Sequence, residues 1–306
     1  MLEVISSSSL HSIQDLGRFG HSRFGLATAG AMDLHASSWA NKLLNNTAET
    51  AFIELTLGGF SCRFLETKAF VLTGGQCDVQ LNGQPIDLWT VYIAEPGSTL
   101  TVKAMHSGVF NYLAVHGGFD VQHFLGSPAA SRRDQIGGID AQAGPFKPGM
   151  IIKWKTSTKP IERNSVPTKY IPDYNAPLIC DVMLREHNQL SDVTKRQFLD
   201  DSYTVSNETS RVGYRLDGCP LQISVPRYSS PIPLGGVQIT AAGQPIVLMR
   251  DHQTLGGYPL IASVTRRSLS MLAQRRAGQM LRFKQVSIND AQKELVLLNK
   301  FFGSFK

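Results

Sequence analysis

Polar side chains and glycines follow a short apolar stretch over 245–249 that has the composition of a buried strand. The residues concerned are Asp251, His252, Gln253, Thr254, Gly256, Gly257 and Tyr258. A histidine titrates near neutral pH, so His252 could shuttle a proton, with Asp251 beside it as a second titratable group. Loops that leave a rigid strand often carry binding residues, and the segment therefore predicts a ligand-binding loop. The alternative is a hairpin that faces solvent.

A second stretch, over 210–216, places Arg211 and Arg215 on either side of Gly213. A planar guanidinium binds a carboxylate or phosphate through two parallel hydrogen bonds. The stretch therefore predicts an anion-binding role for its arginines. The competing interpretation is a solvated sheet face, where arginines at alternate strand positions are common.

A third group of polar residues lies near the amino terminus. Its members are Gln14, Asp15, Gly17, Arg18 and Gly30. The polar side chains could orient a polar ligand, and the glycines would let a ligand approach the backbone closely. Alternatively, the aspartate and the arginine pair with each other in a loop that precedes a helix capped by Asp33, whose first N–H groups would suit an anion.

One further carboxylate, Glu54, lies inside an apolar run over 52–57. A carboxylate in such a setting is either paired with a neighbouring arginine or used for proton transfer. The residues alone leave both interpretations open.

The elements that position these residues are predicted to be mainly β. Short β-type runs recur about every 8–12 residues between glycine- and proline-containing turns. In the first half they cover 70–72, 79–81, 89–93, 99–102 and 110–115. Amphipathic helices between the strands are missing, so the pattern predicts an antiparallel barrel or sandwich rather than a parallel α/β sheet.

Helices are expected to be few and peripheral. They are predicted over 33–46, 191–199, 268–275 and 289–302. In the second, Val193, Phe198 and Leu199 are expected to face the core. In the last, Leu295, Leu298 and Phe302 recur at helical spacing and are expected to contact the core or another subunit.

A proline-rich segment over 158–177 is the best candidate linker. It predicts an N-terminal β lobe over 1–157 and a C-terminal β lobe with a terminal helix over 178–306. A crevice between two lobes would be an ordinary place for a ligand.

Composition and charge exclude several classes of protein. Hydrophobic residues make up 42% of the chain, enough for a core, and no apolar run approaches the ~18 residues of a membrane span. The net charge of +6 is scattered rather than concentrated among aromatics, which argues against nucleic-acid binding and favours an acidic substrate or partner. The four cysteines lack metal-ligand spacing, so no metal site is predicted. The amino terminus resembles no signal peptide, and a cytoplasmic location is expected.

The same residues resemble one known family. The motifs that carry the resemblance are Ile-Gln-Asp-Leu-Gly-Arg at 13–18, Gly-Ala-Met-Asp at 30–33, Glu-Leu-Thr-Leu-Gly-Gly at 54–59, Leu-Thr-Gly-Gly at 72–75, Tyr-Leu-Ala-Val at 112–115, Leu-Gly-Ser at 125–127, Gly-Tyr-Arg-Leu at 213–216 after Arg211, Gly-Gln-Pro-Ile-Val-Leu at 243–248, and Gln-Thr with Gly-Gly-Tyr-Pro at 253–259. Over about residues 4–290 the chain is similar to the KipA / PxpC family, also called the biotin-dependent carboxyltransferase-like family. Its members include the C component of the bacterial ATP-dependent oxoprolinase, the sporulation regulator KipA and the carboxyltransferase part of urea amidolyase.

The resemblance implies two β-barrel-like lobes of cyclophilin-like type and a KipI / PxpB-like partner subunit. An oxoprolinase member would also need a PxpA-like protein, and the hetero-oligomer would open 5-oxoproline to glutamate with ATP, as a hydrolase. One alternative is a non-catalytic regulator like KipA, which binds a KipI-like inhibitor of a histidine kinase. Another is a urea-type carboxyltransferase subunit. Biotin would then arrive on another protein, because the chain has no Ala-Met-Lys-Met motif.

If the chain is an oxoprolinase component, single residues are expected to have the following roles. Proton transfer falls to Asp251, His252 and Asp15. Substrate binding falls to Gln14, Arg18, Arg211, Gln253, Thr254 and Tyr258. The backbone around the site would be shaped by Gly17, Gly30, Gly213, Gly256 and Gly257. ATP would bind there or at a site shared with the partner subunit.

The chain departs from the family pattern at several charged positions. Ser210 stands where the family has an aspartate, His252 where it has an arginine, and Leu260 where it has a lysine. Ser230 replaces a glutamate, and Gln142 an arginine. Each lost charge removes a charge-assisted contact of ~1.5–3 kcal/mol. Substrate or activity can therefore have changed while the fold has not.

Overall fold

The structure is a computed structural model that describes residues 1–158, 160–185, 191–223 and 228–303. It is mainly β, which confirms the predicted fold class. The chain divides into two compact units. Unit 1 contains Met1–Arg18, Ala29–Asn175 and Phe301–Lys306, and unit 2 contains Phe19–Thr28 and Ala176–Lys300.

Unit 1 is a half-barrel built from one antiparallel sheet. Its strands are β1 (Leu2–Ser6), β2 (Ser12–Gln14), β3 (Phe52–Thr56), β4 (Phe60–Phe64), β5 (Lys68–Leu81), β6 (Gln84–Pro85), β7 (Val91–Ala94), β8 (Thr99–Val115) and β9 (Ile151–Ile152). The order is β2-β3-β8-β4-β1-β9, and β5 pairs with β6, β7 and β8. Alternate apolar side chains form the core on one face, where the rings of Phe64 and Phe70 lie 5.0 Å apart.

Two strands are longer than the sequence predicted. The runs over 70–72 and 79–81 belong to β5, and the runs over 99–102 and 110–115 belong to β8. Shifts of register after Gly74 let the paired strands continue past the glycine pair. The buried amide of Asn111 donates to the carbonyls of Thr73 and Gly75, at 3.2 and 2.6 Å, and so satisfies acceptors that the irregular pairing leaves over.

Helix α1 (Leu34–Leu43) confirms the predicted helix and its cap, because the carboxylate of Asp33 accepts the Ala36 N–H at 3.0 Å. It buries Trp39 and Ala40 and packs on β5 and β8. The hydroxyl of Thr73 in β5 donates to the Ala36 carbonyl at 2.8 Å, which fixes the first turn against the sheet.

Unit 2 contains a closed barrel. The strands of unit 2 are β10 (Leu178–Leu184), β11 (Ser202–Val205), β12 (Gly213–Asp217), β13 (Ser230–Pro231), β14 (Gly236–Ile239), β15 (Pro245–Leu248), β16 (Leu255–Gly256), β17 (Leu260–Val264) and β18 (Met280–Gln285). The barrel order is β10-β17-β14-β15-β12-β11-β18, and the parallel pair β10–β18 closes it. Strands β13 and β16 form a separate two-stranded sheet.

The remaining helices occur close to their predicted positions. They are α2 (Asp192–Asp200), α3 (Arg266–Ala273) and α4 (Ile288–Phe302). The predicted burial of Phe198 in α2 is confirmed, and its ring stacks on Phe283 at 4.6 Å. The predicted burial of Val193 is wrong, because a residue five positions from Phe198 lies on another side of the helix, where 67% of Val193 is exposed. No helix in the described ranges combines the length and apolarity needed to span a membrane.

Most of the proline-rich segment predicted as a linker belongs to unit 1, and its tyrosines contact other residues of that unit. Tyr174 is buried, and its hydroxyl donates to Asp33 Oδ2 at 2.7 Å. The ring Nε2 of His35 donates to the Tyr170 carbonyl at 2.8 Å. The boundaries predicted for the two lobes stay a prediction.

Candidate functional site

In unit 1, Gln14 lies at the end of β2 and is fully buried. Its amide nitrogen donates to Ser12 Oγ and to the Ala130 carbonyl, at 2.9 and 3.0 Å, and its oxygen accepts the Gly30 N–H at 2.9 Å. The side chain therefore joins β2 to two loops that come from distant parts of the chain.

Arg18 is the other large polar side chain of this group, and only 1% of it is exposed. Its guanidinium donates to the carbonyls of Phe124, Ser127 and Ala129, at 2.9, 3.2 and 2.9 Å. Three bonds from one planar cation fix the course of a loop. The structure thus places Arg18 among backbone carbonyls of the segment 124–129.

Asp15 is buried beside the same loop. Its Oδ1 accepts the Gly17 N–H at 2.7 Å and the Ser127 hydroxyl at 2.8 Å. Burial raises the pKa of this carboxyl, and the bonds from Ser127 and Gly17 offset part of the shift. A carboxyl in this environment holds a proton to higher pH than an exposed aspartate does.

Gly30 allows a close approach between two pieces of backbone. Its φ is +91°, and a Cβ there would lie 2.8 Å from the Gly17 nitrogen and from the Leu16 carbonyl oxygen. Gly17 also has a positive φ, of 110°. The backbone of residues 16–17 therefore occupies the space next to Gly30.

A buried polar network lies behind this loop. Glu54 Oε2 accepts the Met32 N–H at 2.8 Å and the Tyr112 hydroxyl at 3.0 Å. The Tyr112 oxygen in turn accepts the Asp33 N–H at 2.7 Å. Burial and the nearby carboxylates raise the pKa of Tyr112 well above its ordinary value, so the phenol stays a donor. Asp33 and Tyr174 continue the network.

Glu54 Oε2 accepts hydrogen bonds from a tyrosine and from a backbone N–H, and both interpretations of this carboxylate stay predictions. Sequence reasoning did not single out Tyr112, Ser127 or Tyr174. Tyr112 and Ser127 stand inside family motifs, which was the available signal. Tyr174 lies in a proline-rich stretch, and nothing in its surroundings marked it.

In unit 2, Arg211 and Asp251 form an ion pair. Arg211 Nε donates to Asp251 Oδ2 at 2.8 Å, and Nη2 donates to Oδ1 at 3.0 Å. The Asp251 N–H donates to the Arg211 carbonyl at 2.8 Å. The Asp251 side chain is 7% exposed and that of Arg211 is 20% exposed. This geometry is possible because Arg211 precedes β12, Asp251 follows β15, and the two strands are neighbours.

His252 is buried next to the pair, and its Nδ1 lies 2.6 Å from the Gln253 carbonyl. A carbonyl only accepts, so this contact places a proton on Nδ1 and makes Nε2 the basic atom of the neutral ring. The structure therefore fixes which ring nitrogen could exchange a proton.

The rest of the predicted loop forms the outer strand β16 and its flanks. Thr254 accepts the Ile232 N–H through its carbonyl at 3.1 Å, and Gly256 pairs with Ser230. Gln253, Gly257 and Tyr258 are exposed. With Leu255, which is also exposed, they form the part of the loop that a ligand or a partner protein can contact without a rearrangement.

Two of the positions that depart from the family pattern have ordinary structural surroundings. Ser210 Oγ accepts the Val212 N–H at 3.2 Å, and the Ser210 N–H donates to the Gly213 carbonyl at 3.1 Å. Leu260 is buried in β17. The lysine of the family pattern is thus replaced by a side chain that packs in the barrel wall.

Arg250 is a further charged residue that sequence reasoning missed. It immediately precedes Asp251 and is fully buried. The sequence feature that points to Arg250 is its position directly after the apolar stretch over 245–249, where a charged side chain is unusual. Within the described parts of the chain, no group of three or more histidine, cysteine or acidic side chains is placed to hold a metal ion.

The structure thus forms two clusters from the predicted residues. One in unit 1 joins Gln14, Asp15, Gly17, Arg18 and Gly30. One in unit 2 joins Arg211 and Asp251, with His252 and Gln253 next along the chain. Gly213 lies in β12, where a Cβ would come 2.9 Å from Ile246 Cγ2.

Comparison with known proteins gives consistent matches. The family model described as "Carboxyltransferase domain, subdomain A and B" matches residues 24–285. The C component of the 5-oxoprolinase of Haemophilus influenzae is 34% identical over 298 residues, which cover 96% of this chain and 94% of the relative. The C component of the Escherichia coli 5-oxoprolinase is 32% identical over 302 residues, with the same coverage of each chain.

Longer proteins also contain a matching region. The urea amidolyase of Saccharomyces cerevisiae is 26% identical over 314 residues, which cover 95% of this chain but 17% of the relative. The crystal structure of the Kluyveromyces lactis urea amidolyase matches with a TM-score of 0.90 and 24% identity, over 100% of this chain and 20% of that one. The crystal structure of TTHA0988 matches with a TM-score of 0.80 and 28% identity, over 92% of this chain and 55% of that one.

The match to the family model begins within the first segment of unit 2 and ends at the last strand of its barrel, and two relatives align along almost their whole length. The chain therefore belongs to the family of carboxyltransferase domains that comprise subdomains A and B.

Proposed function

We propose that this chain is the C component of an ATP-dependent 5-oxoprolinase-type complex, which opens 5-oxoproline to glutamate. The observation that carries the proposal is the alignment with the C components of two 5-oxoprolinases over 94% of their own length. The match is to a whole subunit, not to a module within a longer enzyme. Such a component implies further subunits, and we expect a KipI / PxpB-like subunit and a PxpA-like protein in the cytoplasm.

In the reaction, water adds across the lactam amide: the C–N bond breaks, the carbon gains a hydroxyl and the nitrogen gains a proton. Arg211 would hold the substrate carboxylate, and Asp251 would position the arginine through the ion pair. His252 would exchange protons through Nε2, because its Nδ1 is bonded to a carbonyl.

ATP would supply the driving force. A triphosphate needs several cationic or N–H donors, whereas Nε and Nη2 of Arg211 already donate to Asp251. The hydrogen-bond donors of Arg211 therefore suit a single carboxylate better than a triphosphate. We therefore place the nucleotide at a site shared with the partner subunit.

The test is reconstitution of the complex. The chain is co-expressed with its KipI / PxpB-like subunit and a PxpA-like protein, and ATP-dependent release of glutamate from 5-oxoproline is measured, with each protein omitted in turn. Asp251→Ala and Arg211→Ala complexes should lose the activity. Arg215→Ala is the matched control. Arg215 forms an exposed ion pair with Glu208 and lies outside the predicted binding loop over 251–258. Size-exclusion chromatography shows whether each variant still assembles.

A stable wild-type complex without turnover would contradict the proposal and favour a regulator of the KipA kind. That outcome would agree with the replacement of the family's lysine by the buried Leu260.

A second candidate is a biotin-dependent carboxyltransferase of the urea type, which the alignment with urea amidolyase over 95% of the chain favours. Biotin would arrive on another protein. Transfer of labelled carboxyl groups from a carboxybiotinylated carrier protein to urea, in the absence of 5-oxoproline, would distinguish this candidate from the first.

A further inference from the structure

A cavity of about 340 Å³ lies in unit 2, between α3 and strands β10 and β18. We call it the α3 groove. The lining residues that matter for its chemistry are Ile179, Asp181, Arg267, Met271, Arg275 and Lys284. None of them belongs to the loops discussed above, and the resemblance assigns no role to any of them.

The walls of the groove are connected, because α3 is hydrogen-bonded to β10 at its first turn. The Asp181 N–H donates to Ser268 Oγ at 2.9 Å, and the Thr265 N–H donates to the Asp181 carbonyl at 3.0 Å. Thr265 also caps α3 by accepting the Ser268 N–H at 3.4 Å. Strand β18 forms the other wall, where Lys284 stands beside Asp181 in the parallel register.

Three cationic side chains and one carboxylate line the groove. Arg275 is 3% exposed, and its Nη1 donates to the Ala176 carbonyl at 2.7 Å. A guanidinium stays charged in such a place, and its field is screened less than that of a surface charge. Arg267 contacts Glu294 of α4 at 3.5 Å. Within the described ranges, no carboxylate oxygen lies within 4.0 Å of the Lys284 ammonium.

One side of the groove is apolar. Ile179 in β10 is 58% exposed, although its neighbours Leu178 and Cys180 face the barrel core. Met271 lies one turn along α3 from Arg267 and completes this side. A ligand that fits the groove would therefore combine a negative group with a small apolar part.

We infer that the α3 groove binds a small organic anion. Its carboxylate or phosphate is held by Arg267 and Lys284, and the charge of the buried Arg275, which also lines the groove, adds to the attraction. Its apolar part rests on Ile179 and Met271. This site is independent of the proposed function, because it is a property of unit 2 alone and needs neither partner subunits nor turnover.

The test is binding to the full chain by isothermal titration calorimetry at constant ionic strength. Two probes share a ring and differ in the anionic group: benzoate carries a carboxylate, and phenyl phosphate carries a phosphate. Saturable binding of at least one probe is expected. The probe that binds more tightly identifies the anionic group that the groove prefers.

Matched variants on β18 show whether the groove is the site. Lys284→Gln should raise the Kd about tenfold, because it removes a charge-assisted contact. Arg282→Gln removes the same charge from the same exposed face of β18, where the guanidinium donates to Ser202 instead of lining the groove. It should leave the Kd unchanged. Arg267→Gln, on α3, should weaken binding as Lys284→Gln does.

The inference is overturned by the absence of saturable binding for both probes. It is equally overturned by the same loss in the Arg282 and Lys284 variants, which would indicate unspecific attraction to a basic protein. Both variants change exposed strand positions, so the barrel is expected to fold in each, and circular dichroism checks that it does.

Discussion

Arg211 and Asp251 are joined by three hydrogen bonds, two between the side chains and one from the Asp251 N–H to the Arg211 carbonyl. The bonds link the residue that leads into β12 to the residue that follows β15. The ion pair therefore holds the ends of two neighbouring barrel strands together as well as presenting a cation.

Loss of one member of this pair should destabilise unit 2. Arg211→Ala leaves the largely buried carboxylate of Asp251 without its cation, and we expect the free energy of unfolding to fall by about 2–4 kcal/mol. Urea denaturation measures it. The control Arg215→Ala breaks an exposed pair with Glu208 and should cost less than about 1 kcal/mol. Equal losses in the two variants would show that the pair adds nothing beyond a surface contact.

Gly30 should tolerate no side chain. Gly30→Ala combines a positive φ with a Cβ only 2.8 Å from the peptide at 16–17, so we expect a loss of about 2–4 kcal/mol or no folded protein. Gly97→Ala is the matched control, since its φ is +86° but no atom lies within 4 Å of the added Cβ. It should lose about 1 kcal/mol. Thermal denaturation compares the two, and similar melting temperatures would contradict the close contact.

The buried network around Tyr112 gives a third prediction. Tyr112→Phe removes the acceptor of the Asp33 N–H and a donor to Glu54 while keeping the ring, so the free energy of unfolding should fall by about 1–3 kcal/mol. Tyr92→Phe removes one hydroxyl that accepts the exposed Asp87 N–H, and it should be nearly neutral. Chemical denaturation of both variants decides the matter. A neutral Tyr112→Phe would mean that water or a neighbour replaces the hydroxyl.

The raised pKa of Asp15 predicts a pH dependence of stability. Burial raises this pKa in the folded state above the ordinary value of 3.8, so folding takes up a proton in the interval between the two. The associated stabilisation is complete below 3.8 and is lost as pH rises through the folded pKa. Asp15→Asn keeps the Oδ1 acceptor but cannot ionise. Relative to the wild type, it should therefore gain stability as pH rises through this interval.

A second variant, whose stability relative to the wild type should change with pH in the opposite direction, is the control for Asp15→Asn. The exposed Asp78 has a pKa lowered by its hydrogen bond to His106, so its contribution is present above 3.8 and is lost as pH falls through the lowered pKa. Relative to the wild type, Asp78→Asn should gain stability as pH falls. Unfolding free energies of the three proteins, measured from acid to neutral pH, test both signs. Parallel curves would refute the assignment to Asp15.

Local patterns were sufficient for the fold class and for α1. Its cap could be read because Asp33 bonds to a residue three positions away. The length of β5 and β8 could not be read, because their continuation past Gly74 depends on an amide from Asn111, far along the chain. Burial of Val193 was mispredicted because a short amphipathic run does not show how narrow the buried side of its helix is.

The candidate site, too, was predictable from the sequence only in part. Residue types marked Arg211 and Asp251 as binding groups, but their pairing follows from the register of β12 with β15, which local spacing does not contain. Gln14 and Arg18 have the chemistry of ligand-binding side chains. Here they bind carbonyls of a loop more than a hundred positions away, and only the fold brings that loop to them.

The parallel closure of the unit 2 barrel has a consequence for how the protein is made. Strand β10 begins at Leu178, yet its partner β18 ends at Gln285. During synthesis β10 lacks both barrel partners until β17 is made, and one of its edges stays unpaired until about a hundred further residues have left the ribosome. At about 5–20 residues per second that interval lasts several seconds, and an open strand edge invites pairing with other chains. Folding of unit 2 is therefore expected to finish only after synthesis of β18, and chaperones that cover strand edges should associate with the nascent chain during that interval.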